Sequence, residues 1–139
     1  HPLRQETHDF VFRVRGWKWE IDTATPDIPA MEASLFAYCQ RQFMDKRTAN
    51  ACYHIVEEVA LVHLLTEAHA RGLTNPQIQL HMSAGEGGVD TVLSVDFRAM
   101  HADGHTEQST DNAVSSAMIL GFCKRVERNE PGVMRFYLK

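Results

Sequence analysis

Apolar residues recur every three or four positions from Thr48 to Gly72, which predicts the longest helix of the chain. We expect Thr48 or Asn50 to cap its start, and Gly72 stands where a glycine commonly ends a helix. The same spacing predicts a helix from about 29 to 44 and another from Ser109 or Asp111 to Val126. The repeating positions of the long helix are Cys52, Ile55, Val56, Val59, Val62, Leu65 and Thr66.

Alternating apolar and polar residues predict the strands. The segments with this pattern are 9–16, 17–23, 78–84, 89–97 and 133–139. Glycine-rich residues 85–88 lie between two of them and favour a hairpin turn. The resulting order, β-β-α-α-β-β-α-β, predicts an α+β two-layer sandwich with a mixed or antiparallel sheet and three helices on one face.

Trp17 and Trp19 share one face of the predicted strand 17–23, because alternate residues of a strand point the same way. Two interpretations stay open for this pair. The indoles are either part of the core or, if the strand lies at the sheet edge, part of a docking surface, since tryptophan is enriched at interface hot spots.

The composition is that of one globular domain, with 139 residues, 44% apolar and 23% charged. A net charge of −4 argues against a nucleic-acid partner, and no apolar run is long enough to span a bilayer. The odd number of cysteines, Cys39, Cys52 and Cys123, predicts buried reduced thiols in a cytoplasmic protein. A first residue of His1 rather than methionine predicts a fragment of a longer chain.

Histidines and acidic residues gather at two places without a recognisable metal motif. The predicted long helix carries one group and the segment 99–111 the other, but the spacing HExxH is absent. Cys52 and His54 likewise lack the signature of a catalytic pair. We therefore expect no catalytic residues, no metal and no cofactor. The residues concerned are His54, Glu57, Glu58, His63, His101, Asp103 and His105.

Residues 17–139 resemble the histidine-kinase-like ATPases, and most closely the anti-sigma-factor serine kinases. That family has a Glu-x-x-x-Asn box on a long helix and an Asp-x-Gly-x-Gly box after a hairpin. Glu58 and Asp96 match the two acidic positions. Val62 replaces the magnesium-binding asparagine, while Arg98 and Met100 replace the two glycines. The resemblance therefore implies the family's fold without a working ATP site.

In the family's fold, the matching acidic positions line one pocket between the long helix and the second hairpin strand. The candidate ligand-binding residues are therefore Glu58, Asp96 and Arg98. One interpretation is an amino acid whose ammonium meets Glu58 or Asp96 and whose carboxylate meets Arg98. The other is an Asp96–Arg98 or Glu58–Arg98 ion pair that fills the cleft, because buried charges are usually paired.

The N-terminus resembles the end of the ATP-binding subunit of polar amino-acid ABC transporters, in which Pro2, Thr7 and Phe10 keep the family's spacing. This implies that residues 1–16 are a linker or first strand after an upstream domain. No Walker A sequence occurs in the chain. We expect a cytoplasmic, non-catalytic C-terminal regulatory or interaction domain that reaches the inner membrane only through a transporter.

The expected partners are the ABC ATPase domain of the same chain and a small-molecule ligand, with a homodimer left open. Two alternatives to this function remain. The first is an ATP-dependent serine kinase of the anti-sigma type, and the second is a free-standing protein-interaction domain.

Overall fold

A computed structural model describes residues 16–85, 90–103, 111–116, 118 and 120–138. The predicted strand 9–16 lies outside these residues except for Gly16, and so does most of the glycine-rich turn. Among the described residues, no helix combines the length and the apolar character needed to cross a membrane. The strands are β1 (Gly16–Ile21), β2 (Ile78–Ser83), β3 (Val92–Asp96), β4 (Cys123–Glu127) and β5 (Val133–Leu138).

The five strands form one sheet in the order β1-β2-β3-β5-β4, and every neighbouring pair is antiparallel. Side chains alternate across this sheet. One face is buried, with Trp17 and Ile21 from β1 and Leu80 and Met82 from β2 almost inaccessible to water. The other face carries polar and charged side chains. This confirms the predicted α+β class with an antiparallel sheet.

Helix α1 spans Ile28–Arg41. Asp27 caps its start, because the Asp27 carboxylate accepts a hydrogen bond from the Ala30 N–H at 3.1 Å. It packs over β1, where Trp17 donates from Nε1 to Ser34 Oγ at 2.9 Å. The predicted core position of Trp17 is therefore confirmed. Trp19 is half-buried against the same core.

Helix α2 comprises three continuous segments, Lys46–Ile55, Val56–Leu65 and Thr66–Ala70, of which the middle one is π-helical. Its cap is Asp45, which accepts from the Thr48 N–H at 2.7 Å, so the predicted cap at Thr48 or Asn50 is wrong. Asp45 lies three residues before Thr48, so its carboxylate reaches an N–H of the first helical turn that has no partner within the helix. Gly72 has φ +70° just past the helix, as its predicted role as a stop requires.

Residues 98–103 form a 3₁₀ helix, and α3 covers residues 111–116. The prediction that α3 continues to Val126 is wrong. The chain turns at Gly121, which has φ +75°, and Cys123–Glu127 then pairs with β5 as an edge strand. Helical spacing of a few apolar residues could not reveal this strand, because its pairing partner lies further along the chain.

Candidate functional site

Two rows of polar side chains cross the sheet face that points away from the helices. In the first, β-sheet pairing joins Lys18 to His81, His81 to Ser94, and Ser94 to Arg135. We call these four residues the basic row. This row follows from the strand register, because residues paired across neighbouring strands point to the same face.

The second row lies two residues further along the strands. Glu20 pairs with Gln79, and Gln79 pairs with Asp96. We call these three residues the acidic row. Since strands advance about 3.4 Å per residue, the two rows lie roughly 7 Å apart. Positive and negative groups therefore stand side by side on one rigid surface.

Both rows line a depression of about 730 Å³ on this outer face. Arg98 and Glu130 form its wall at the end of β3, next to Asp96. Trp19 also lines the depression at the edge strand β1, and it packs against the core as well.

The side chain and the backbone N–H of Arg98 both donate hydrogen bonds to the Asp96 carboxylate. Its Nη2 lies 2.7 Å from Asp96 Oδ2, its Nε lies 3.1 Å from Oδ1, and its backbone N–H also donates to Oδ1 at 3.1 Å. The remaining guanidinium nitrogen, Nη1, donates to Glu130 Oε1 at 2.9 Å. Asp96 and Arg98 thus form an ion pair, as one of the two interpretations expected, but on the open sheet face rather than in a cleft beside the long helix.

The titration of this pair follows from its contacts. Partial burial raises the pKa of Asp96, but the hydrogen bonds from the Arg98 side chain and backbone and the charge of Arg98 outweigh it, so the net pKa is lowered. Hydrogen bonding to Asp96 and the two nearby carboxylates raise the pKa of Arg98. Burial and then the neighbouring Lys18 lower the pKa of His81, so His81 is neutral at pH 7.

The structure does not bring Glu58 to this pair. Glu58 lies on α2, which packs against the inner face of the sheet, and its carboxylate lies 3.4 Å from His63 Nε2. It lines a separate depression of about 230 Å³ with His54 and Phe122, whose rings stack at a centroid distance of 4.6 Å. The expectation that Glu58, Asp96 and Arg98 line one pocket is therefore corrected.

The structure shows the surroundings of the positions at which the sequence departs from the motifs of the family it resembles. Val62 is 48% exposed on α2, whereas Met100 is fully buried in the core. Arg71, near the end of α2, donates to the Met100 carbonyl at 2.7 Å and so ties the 3₁₀ helix to the long helix. The segment after Asp96 is therefore packed against the core and anchored to α2.

Sequence reasoning missed the basic row. The alternation in β1 and β2 already placed Lys18 and His81 on the polar face, but it could not show which residues of β3 and β5 stand beside them. Register is fixed by pairing between distant segments. Within the described residues, no group of three or more histidine, cysteine, aspartate or glutamate side chains is close enough to hold a metal ion.

Comparisons with protein-family models, with curated proteins and with solved structures find no match to this chain.

Proposed function

We propose that this chain is a non-catalytic regulatory domain that binds a small zwitterionic molecule on the outer face of its sheet. The observation that carries the proposal is the acidic row beside the basic row, both lining one depression. A rigid sheet holds these groups at fixed spacing, so little ordering is needed on binding.

The spacing of the rows selects the length of the ligand. A carboxylate placed between Lys18 and Arg135 leaves roughly 7 Å to the acidic row, where a cation would meet Glu20 or Asp96. The ammonium and carboxylate of a single α-carbon are too close together for this. A basic amino acid bound by its side-chain cation, or a short peptide bound by its two ends, fits the separation.

The domain is proposed to follow the cassette of an amino-acid transporter ATPase, on the cytoplasmic side of the membrane. Pro2, Thr7 and Phe10 support this through the N-terminal resemblance alone. Binding of the transported amino acid would then report its internal concentration to the cassette. A histidine-kinase-like ATPase fold is part of the same proposal. It is supported by a long helix carrying Glu58 and by a hairpin ending at Asp96.

Docking of a protein partner is the second candidate function. An apolar groove of about 350 Å³ runs between α1 and α2, and Phe36 beside it is 52% exposed. Glu32 and Glu57 also line the groove, so a partner with an apolar anchor and basic neighbours would complement it. Loss of cassette binding in Phe36→Ser, with the fold intact, would support this candidate.

Thermal-shift measurements with the free amino acids and simple dipeptides test the main proposal. At about 100 times its Kd, a ligand should stabilise the domain by about 2.7 kcal/mol and raise the melting midpoint. Arg135→Gln should abolish the shift. Arg125→Gln removes a similar charge that stacks on Tyr137 outside the depression, and should leave the shift intact. If none of these compounds moves the midpoint, the proposal is wrong.

A further inference from the structure

Four sulfur atoms from separate parts of the chain meet in the core. Cys52 on α2 lies at the centre, with its Sγ 3.5 Å from Met82 Sδ on β2 and 4.0 Å from Met44 Sδ in the α1–α2 turn. The thiols of Cys52 and Cys39 hydrogen-bond to each other, which brings in α1. We call these four residues the sulfur cluster.

The spacing of these atoms suits a metal ion. Sulfur ligands at about 2.3 Å from a tetrahedral metal stand roughly 3.8 Å apart. The two distances measured from Cys52, 3.5 and 4.0 Å, bracket this value. Cys52 therefore already stands at ligand spacing from both thioether sulfurs.

The kind of donor selects the ion. Thiolate and thioether sulfur are soft ligands that favour Cu(I), whereas Mg²⁺ and Ca²⁺ require oxygen and thioethers are not among the usual ligands of Zn²⁺. We propose that Cys39, Cys52, Met44 and Met82 bind one Cu(I) ion. The thiols of Cys39 and Cys52 each release a proton to solvent as their Cu–S bonds form, the two thioethers add as neutral donors, and no electron is transferred.

The sulfur cluster is buried from water on most sides, but it reaches the protein surface at one residue through which an ion could enter. Cys39, Cys52 and Met82 are at most 3% exposed, so water and competing ligands are excluded. Met44 is only half-buried, in the turn between α1 and α2, and offers the surface contact from which an ion could enter. Tyr53 hydrogen-bonds to Cys39. It would hold the Cys39 sulfur in position without itself contacting the metal ion.

A second sulfur pair in the same protein provides an internal control. Cys123 Sγ lies 3.4 Å from Met118 Sδ, a thiol and a thioether in contact at the far edge of the sheet. Buried cysteine and methionine often serve only as apolar core residues, and such a pair shows what that packing looks like. The sulfur cluster differs from it in bringing twice as many donors together.

Anaerobic titration of the full chain with Cu(I), in competition with bathocuproine disulfonate, tests the proposal. We expect one tightly held ion per chain, and X-ray absorption should show three or four sulfur neighbours at about 2.3 Å. Met82→Leu, which nearly conserves volume, should weaken binding at least about tenfold. Cys39→Ala should abolish it, while Cys123→Ser should bind like the parent chain.

Three results would overturn the proposal. They are retention of Cu(I) by Cys39→Ala with unchanged affinity, nitrogen or oxygen neighbours in the absorption spectrum of the parent chain, and failure of that chain to compete for Cu(I) at all. The spectrum needs no variant, so the test stands even if a cysteine substitution prevents folding. Circular dichroism of each variant confirms that its fold is intact before titration.

Discussion

Gly132 lies so close to Arg98 that a Cβ on the glycine would stand 2.8 Å from both Cα and Cγ of the arginine. Gly132 also has φ +80°, which L side chains rarely adopt. Its carbonyl accepts from the Phe97 N–H at 2.7 Å. This approach brings the β4–β5 turn to the end of β3, and so allows Glu130 to reach Arg98.

Gly132→Ala should therefore destabilise the protein through two separate costs. The left-handed backbone costs roughly 1–2 kcal/mol for a residue with a side chain. Overlap with the Arg98 backbone should add about 1–3 kcal/mol. Gly72→Ala is the matched control, because Gly72 has φ +70° but nothing within 4 Å of its added Cβ. Urea unfolding measures both, and equal losses would contradict the close-contact argument.

The Asp96–Arg98 pair should make stability depend on pH. The folded pKa of Asp96 lies below its unfolded value of about 4, so its stabilisation is fully present above pH 4 and is lost as pH falls through the folded pKa. Asp96→Asn should cost about 1 kcal/mol at pH 7, because Arg98 is half exposed and water screens the pair. The cost should shrink at pH 3.

The control for Asp96→Asn is Glu20→Gln, which removes one negative charge from the same face without breaking a contact to arginine. Urea unfolding at pH 7 and pH 3 supplies the comparison. A cost for Asp96→Asn that is the same at both pH values would show that the ion pair does not stabilise the fold.

Local sequence patterns were sufficient for most of the elements. The apolar spacing around Val59 placed α2, and the alternation around Leu80 and Val95 placed β2 and β3. Strand β4 was missed because Cys123 and Val126 fit a helical spacing as well as an edge strand. An edge strand has only one neighbour, so its sequence carries a weaker alternation.

The candidate site was predictable only in part. Asp96 and Arg98 are two residues apart on one strand end, so their contact followed from local geometry. Glu58 was carried over from a family pocket, and its true surroundings depend on how α2 lies on the sheet. Arg135 joined the site through the pairing of β3 with β5, which no local pattern encodes.

Tyr38 should contribute a hydrogen bond that the protein cannot replace. Its side chain is fully buried, and its hydroxyl oxygen accepts from the Ala84 N–H at 3.1 Å, next to the end of β2. Burial raises the pKa of this phenol, so it stays neutral at working pH. Tyr38→Phe should cost about 1 kcal/mol, because the part-buried Ala84 N–H loses its hydrogen-bond acceptor.

Tyr137→Phe is the surface control for that experiment. Tyr137 donates to Glu127 at the sheet surface, where water can take the place of the lost hydroxyl. Its loss should destabilise the protein clearly less than Tyr38→Phe, as for most surface substitutions. Thermal or urea unfolding distinguishes the two, and a neutral Tyr38→Phe would mean that Ala84 finds another acceptor.

The chain should not bind Mg-ATP. Nucleotide binding in the resembling family depends on an asparagine that holds magnesium and on glycines that let the backbone approach the nucleotide. Val62 offers no oxygen to a metal ion, and magnesium requires oxygen ligands. Arg98 is held by Asp96 and Glu130, and Met100 is fully buried. Calorimetric titration should show no binding stronger than about 10 μM, or roughly −7 kcal/mol.

Single substitutions toward the residues of the resembling family should not create a nucleotide site. Val62→Asn would supply one magnesium ligand on an exposed helix position, but the segment after Asp96 would remain packed. Met100→Gly would open a cavity in the core and cost several kcal/mol before it freed any backbone. Arg71 would also keep that segment tied to α2 through the Met100 carbonyl. Tight Mg-ATP binding by Val62→Asn alone would therefore show that the packed segment is no obstacle.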